Sequence, residues 1–154
     1  MLILGIDPGS SITAFGIINP KTKESSYGYL KLSSKINKED KLYKVFLFVK
    51  DIIKDNGIDS VAVEGSFYSV NIQSATILSQ IRAAVIIAAK DSNIDVYQYQ
   101  PKEVKHAVCG YGGAKKEQIK FIVEKTLNIS LEKEPLDVSD ALAIALTHIY
   151  TMNF

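Results

Sequence analysis

The chain has 154 residues, 47% of them hydrophobic, which suits one domain over 1–154 with a single core, and its single cysteine, Cys109, excludes an internal disulfide and any multi-cysteine zinc site. Eighteen basic residues stand against seventeen acidic ones, and a net charge of +1 neither requires nor excludes a nucleic-acid partner, because a local patch counts for more than the total. The longest uncharged run, GSFYSVNIQSATILSQI, is broken by Asn and Gln, and the N-terminus lacks a basic flank and a small-residue cleavage pattern, so no membrane partner is expected and the chain reads as cytoplasmic.

Three strand-like runs come first: LILGID, SITAFGII and SSYGYLKL, separated by PG and by the turn-rich NPKTKE. Such short connections predict an antiparallel meander. KEDKLYKVFLFVKDIIKDNG places Leu42, Val45, Phe46, Val49, Ile52 and Ile53 at helical spacing and closes on Asn56 and Gly57, a helix C-terminus. SVAVEG is a fourth strand of β-branched residues that ends, like the first, in an acid and a glycine. After SFYSV, a long helix is predicted from Asn71 to Lys90, and its second half, IRAAVIIAAK, is apolar on nearly every side. One sheet can cover only one such face, so the other is expected to join a second copy in a two-fold dimer.

DVYQY is a fifth strand, PKEVKHAV a helix opened by proline, and GYGG a glycine-rich connection. AKKEQIKFIVEKTLN is amphipathic through Ile119, Ile122, Val123 and Leu127, and PLDVSDALAIALTHIY is the last helix. This order predicts an α/β layered domain with a mixed sheet.

Four acids sit where a core-seeking sequence would not put them: Asp7 and Glu64 at the ends of apolar strands, Asp137 and Asp140 at the start of the last helix. If the first and fourth strands are parallel neighbours, their carboxyl ends lie side by side, and a spacing of three puts the two aspartates on one helix face. A bare cluster of this kind repels itself and holds its protons, a conflict that a divalent cation resolves. Oxygen-only ligands favour Mg²⁺ or Mn²⁺, the equipment of two-metal phosphodiester hydrolysis. Taken singly, each acid has an ordinary role, either at the positive end of a helix or capping a turn.

GIDPGSSITAFG, VEGSFYSVNIQSATILSQIRAA, PKEVKHAVCGYGGAKKEQI and DVSDALAIALTH, in that order and over nearly the whole chain, resemble the motifs of the RuvC Holliday junction resolvases. The resemblance implies a ribonuclease H-like fold with a five-stranded mixed sheet in the order 3-2-1-4-5, and a homodimer. It also implies paired, symmetric, Mg²⁺-dependent cutting of four-way DNA junctions in recombination and repair, with two ions per site and Mn²⁺ as a substitute. It further implies Asp7, Glu64, Asp137 and Asp140 as the catalytic and metal-binding acids, and a RuvA- and RuvB-type branch-migration complex as partner. Carried over by position, Phe67 is the aromatic that stacks on bases near the junction, with Tyr68 beside it. Lys105 and Lys116, with Lys115 adjacent, match the family's basic positions near the cut phosphate.

The chain departs from the family pattern at Gly65, which is expected to loosen the loop bearing Phe67, at Ala14, and in lacking a basic tail. His148, late in the last helix, suits that helix's negative end, and His106 beside Lys105 reads as structural or as a phosphate contact. Three rival readings stand beside the resolvase. One is a ribonuclease H-like nuclease acting on RNA or hybrid, another a junction-binding scaffold without catalysis. The third is an ATP-binding phosphotransferase, suggested by GIDPGSS, whose nucleotide would need a second domain.

Overall fold

A computed structural model describes residues 1–65 and 71–154. In chain order the elements are β1 (Ile3–Asp7), β2 (Ile12–Ile18), β3 (Ser25–Lys31), α1 (Lys38–Asn56), β4 (Ser60–Glu64), α2 (Ile72–Asp91), β5 (Asp95–Tyr99), α3 (Pro101–Cys109), α4 (Lys116–Leu127) and α5 (Leu136–Met152). The strands form one sheet in the order β3-β2-β1-β4-β5. β1, β2 and β3 pair antiparallel as the meander, whereas β4 and β5 join β1 in parallel. Ile3 lies opposite Ser60 and Ile6 opposite Val63, so β1 and β4 end together. Residues 61–63 and 3–6 are buried, as strands covered on both faces require.

Two apolar cores flank the sheet. α1 and α2 cover one face through Val45, Val49, Ile52, Ile81, Val85 and Ala88. On the other face α3, α4 and α5 close over Ile3, Ala14 and Ala62. α5 is the central helix of that layer, buried from Val138 to Ile149 except at Asp140, which is partly exposed. Gly5 and Gly16 make room for it. A Cβ on Gly5 would stand 2.2 Å from the Ala141 carbonyl oxygen, and one on Gly16 would stand 2.5 Å from Leu142. Because Ala141 and Ala145 straddle Gly5 while His148 reaches Ser60 at the start of β4, α5 runs back along the sheet with its first residues over the end of β1.

α1 ends at Gly57, which takes a left-handed φ of 65° and returns its N–H to the Ile53 carbonyl, as the sequence predicts. α2 differs from the expectation in two ways. Among the described residues it is the one helix long and apolar enough to cross a membrane, with a mean hydropathy of 1.4 over its best window, yet it is a packed layer of this domain. Its second apolar face is also not left wholly to a partner chain, because α1 lies against it. On the side left open lie Ile72, 80% exposed, Ala83, and Ile87, 58% exposed.

Candidate functional site

Asp7 and Glu64 are delivered to one place by the parallel pairing of β1 and β4, since the register that sets Ile6 beside Val63 sets their next residues side by side. Thr13, fully buried, ties the turn after Asp7 by accepting from the Gly9 N–H and donating to the Gly9 carbonyl oxygen at 3.0 Å. From above, α5 brings Asp137 in its first turn and Asp140 in its second. Asp7, Glu64 and Asp140 line a cleft of about 960 Å³ that also takes in Gln100, Lys102, Lys105 and Lys116. Asp137 does not line it but stands within Coulombic reach of Asp7 and Asp140.

The electrostatics are those of a carboxylate cluster short of positive charge. Burial, then Asp140, Glu64 and Asp137 in turn, hold the Asp7 carboxyl well above the usual carboxylate range, with Lys116 opposing. Burial and then Asp140 raise Glu64, against Lys116, Arg82 and Lys105. Asp140 is raised by burial in spite of Lys116, whose Nζ donates to Asp140 Oδ2 at 2.9 Å. That hydrogen bond in turn strengthens the Lys116 ammonium's hold on its proton. Among the described residues no three His, Cys, Asp or Glu side chains lie close enough together to form a ligand set as they stand. The donor chemistry itself, oxygen alone with several negative charges in conflict, fits a hard divalent cation.

The sequence-derived basic residues separate here. Lys105 and Lys116 are in the cleft, whereas Lys115 is exposed at the N-terminus of α4, its N–H donating to Gln118 Oε1 at 2.8 Å, and does not line it. Phe67 and Tyr68 lie outside the described residues. His106 is exposed and apart from the cleft lining. His148 is structural, as read, but for another reason than the helix end. It is fully buried, with Nε2 3.1 Å from Ser60 Oγ, Nδ1 2.7 Å from the Tyr99 hydroxyl, and its ring 4.4 Å from that of Tyr97. Burial lowers its proton affinity.

Two features escaped the sequence reading. Arg82 of α2 is buried, and it donates through Nε to the Glu64 carbonyl oxygen at 2.7 Å and through Nη2 to that of Gly65 at 3.1 Å. The loop bearing Phe67 that Gly65 is expected to loosen lies outside the described residues, while Gly65 itself is held in place. Its N–H donates to the Tyr99 carbonyl oxygen at 2.8 Å, Arg82 takes its carbonyl, and a Cβ there would meet Gln100 Nε2 at 2.9 Å. The second feature is Lys102, a further cation at the cleft wall. An arginine in the run IRAAVII gave the only hint of the first, as a charge inside an apolar helix must face something polar.

A mixed sheet in this order, carrying acids at the ends of its two central strands and on the helix above them, defines a ribonuclease H-like nuclease. The sequence model of the family described as crossover junction endodeoxyribonuclease RuvC matches residues 3–148. A crossover junction endodeoxyribonuclease RuvC of Alkaliphilus metalliredigens is 37% identical over 157 residues, covering 100% of this chain and 96% of the relative. The structure of Thermus thermophilus RuvC superposes with a TM-score of 0.88 at 28% identity, over 99% of this chain and 96% of that one. T. thermophilus RuvC in complex with a Holliday junction substrate gives 0.87 at 26% identity, over 99% and 95% of the two chains. The chain belongs to the RuvC family of crossover junction endodeoxyribonucleases, hydrolases acting on DNA.

Proposed function

We propose that this chain, acting as a single nuclease domain over 1–154, binds a four-way DNA junction as a homodimer in the cytoplasm and nicks two opposed strands, one per subunit. The observation that carries the reading is the convergence of Asp7, Glu64 and Asp140 with Lys105 and Lys116 in one cleft at the carboxyl ends of β1 and β4. Asp7, Glu64, Asp140 and Asp137 are the residues that would hold Mg²⁺, with Mn²⁺ as a substitute, since they are oxygen donors gathered at the carboxyl ends of β1 and β4 and the start of α5. When bound, such ions would supply Lewis-acid activation of the scissile phosphate and of the attacking water.

The remaining work falls to the protein's own groups. Lys116, now on Asp140, is the cation nearest the acids and turns to the phosphate when the acids are otherwise neutralised, with Lys105 across the cleft. Lys115 contacts the DNA backbone from the rim. Phe67 and Tyr68 stack on bases at the junction centre. The open side of α2 supports the homodimer, and family membership supports docking to a RuvA- and RuvB-type branch-migration complex.

The test is cleavage of a labelled synthetic junction beside a matching linear duplex and an RNA–DNA hybrid, with and without Mg²⁺, for this protein and Asp7→Asn. Paired nicks confined to the junction, requiring metal and falling by at least about 10²-fold in Asp7→Asn, are expected. Cleavage of the hybrid in preference to the junction would overturn the reading.

A further inference from the structure

A nearly neutral chain that grips DNA must concentrate its positive charge, and the segment from Lys31 to Lys44 does so. It holds five lysines against two acids, Glu39 and Asp40, in a chain whose whole net charge is +1. The fold carries this segment to the same edge of the sheet as the carboxylates. Lys31 pairs with Ile12, and the Leu32 N–H donates to the Ser11 carbonyl oxygen at 2.8 Å, so β3 ends beside the turn that follows Asp7. Lys41 Nζ donates to the Ser10 carbonyl oxygen at 3.2 Å and moors the first turns of α1 to the same turn. β3 lies two strands from β1, roughly 10 Å away across the sheet.

The charges here are also uncommitted. Toward the opposite edge Lys50 is spent on Asp91 at 2.7 Å and Lys90 on Asp95 at 3.0 Å. Lys31, Lys35, Lys38 and Lys44 are exposed, and among the described residues none of them is in an ion pair. The cleft carries Lys102, Lys105 and Lys116 on its α3–α4 side, so the carboxylates stand between two basic flanks.

We propose that the β3–α1 flank is a second phosphate-binding surface, which holds one duplex arm of the junction through Lys31, Lys35, Lys38 and Lys44 while the cleft holds the strand to be cut. This rests on the junction-binding reading above, and the experiment separates the two. Binding of a fluorescent synthetic junction is measured without divalent metal across about 50 to 300 mM salt, for the wild type, for Lys35→Gln/Lys38→Gln/Lys44→Gln, and for the far-edge control Lys21→Gln/Lys23→Gln/Lys54→Gln. All six positions are surface lysines, and an unchanged thermal midpoint confirms folding. The flank variant is expected to bind at least about tenfold more weakly near 100 mM salt, with the slope of log affinity against log salt reduced by about 2 to 3, while the control stays within about twofold of wild type. A flank variant that matches the control while the wild type binds overturns this surface and leaves the nuclease reading intact. A wild type that neither binds nor cuts junctions overturns both.

Discussion

At the scale of single residues, Asp7 is a partly buried acid that the fold holds at a cost. Its proton affinity is raised first by burial and then by three other acids, with only Lys116 opposing. Folding therefore gives the chain a group that binds more protons than its unfolded counterpart, so stability is greatest below the ordinary carboxylate range and falls as pH rises through the raised value. Asp7→Asn removes that cost. In metal-free buffer at neutral pH it is expected to raise the thermal midpoint by a few degrees, and the gain is expected to vanish below about pH 3, where the wild-type carboxyl is protonated in both states. Thermal unfolding followed across pH by circular dichroism checks both halves, and an Asn variant less stable than wild type at pH 7 would contradict them. The meeting of Asp7 and Glu64 in one cleft was legible in the sequence because charge at the end of an apolar strand is conspicuous, as was that of Asp140 at the start of an apolar helix. The partners of His148 were not, since Ser60 and Tyr99 lie 88 and 49 residues away in the chain.

At the scale of elements, α2 does more than cover the sheet. Arg82 ties its second half to the backbone at the end of β4, and its two bonds to consecutive carbonyl oxygens fix where Glu64 leaves the strand. Burial weakens this guanidinium's hold on its proton while Glu64 strengthens it, as suits a buried cation that stays charged beside an acid. Arg82→Met leaves those carbonyls without this donor, at a cost of about 1–3 kcal/mol, and frees Glu64 to drift. Its kcat for junction cleavage is expected to fall at least about tenfold while metal-free junction affinity stays near wild type, and Arg82→Lys is expected to recover part of the loss. Equal losses in affinity and kcat would mean that Arg82 serves folding alone. Element order was legible throughout, because alternation and helical spacing differ in period and the turns carry Gly, Pro and Asn. The tie was not, because the run IRAAVII does not say which wall its arginine faces.

At the scale of the whole molecule, the distribution of apolar surface bears on the number of chains that act together. α1 covers much of the second face of α2, so the case for a partner chain rests on what α1 leaves open: Ile72, Ala83 and Ile87 at helical spacing, with both isoleucines more than half exposed. Small and aliphatic residues along one line let two helices approach closely, and a two-fold axis there would apply the same face twice. The same helix holds Glu64 through Arg82, so a dimer built on α2 would tie each cleft to the shared axis through one rigid element. Ile87→Lys places a charge in that seam without touching either core. It is expected to sediment as a monomer at micromolar concentration, where the wild type is expected to sediment as a dimer, and to keep its thermal midpoint within a few degrees. On a supercoiled plasmid that extrudes a four-way junction, two coordinated nicks give linear DNA, whereas independent nicks give open circles. The wild type is expected to yield mainly linear product and Ile87→Lys mainly circles. Linear product from a monomeric variant would place the second cut in the same subunit and remove the need for the dimer.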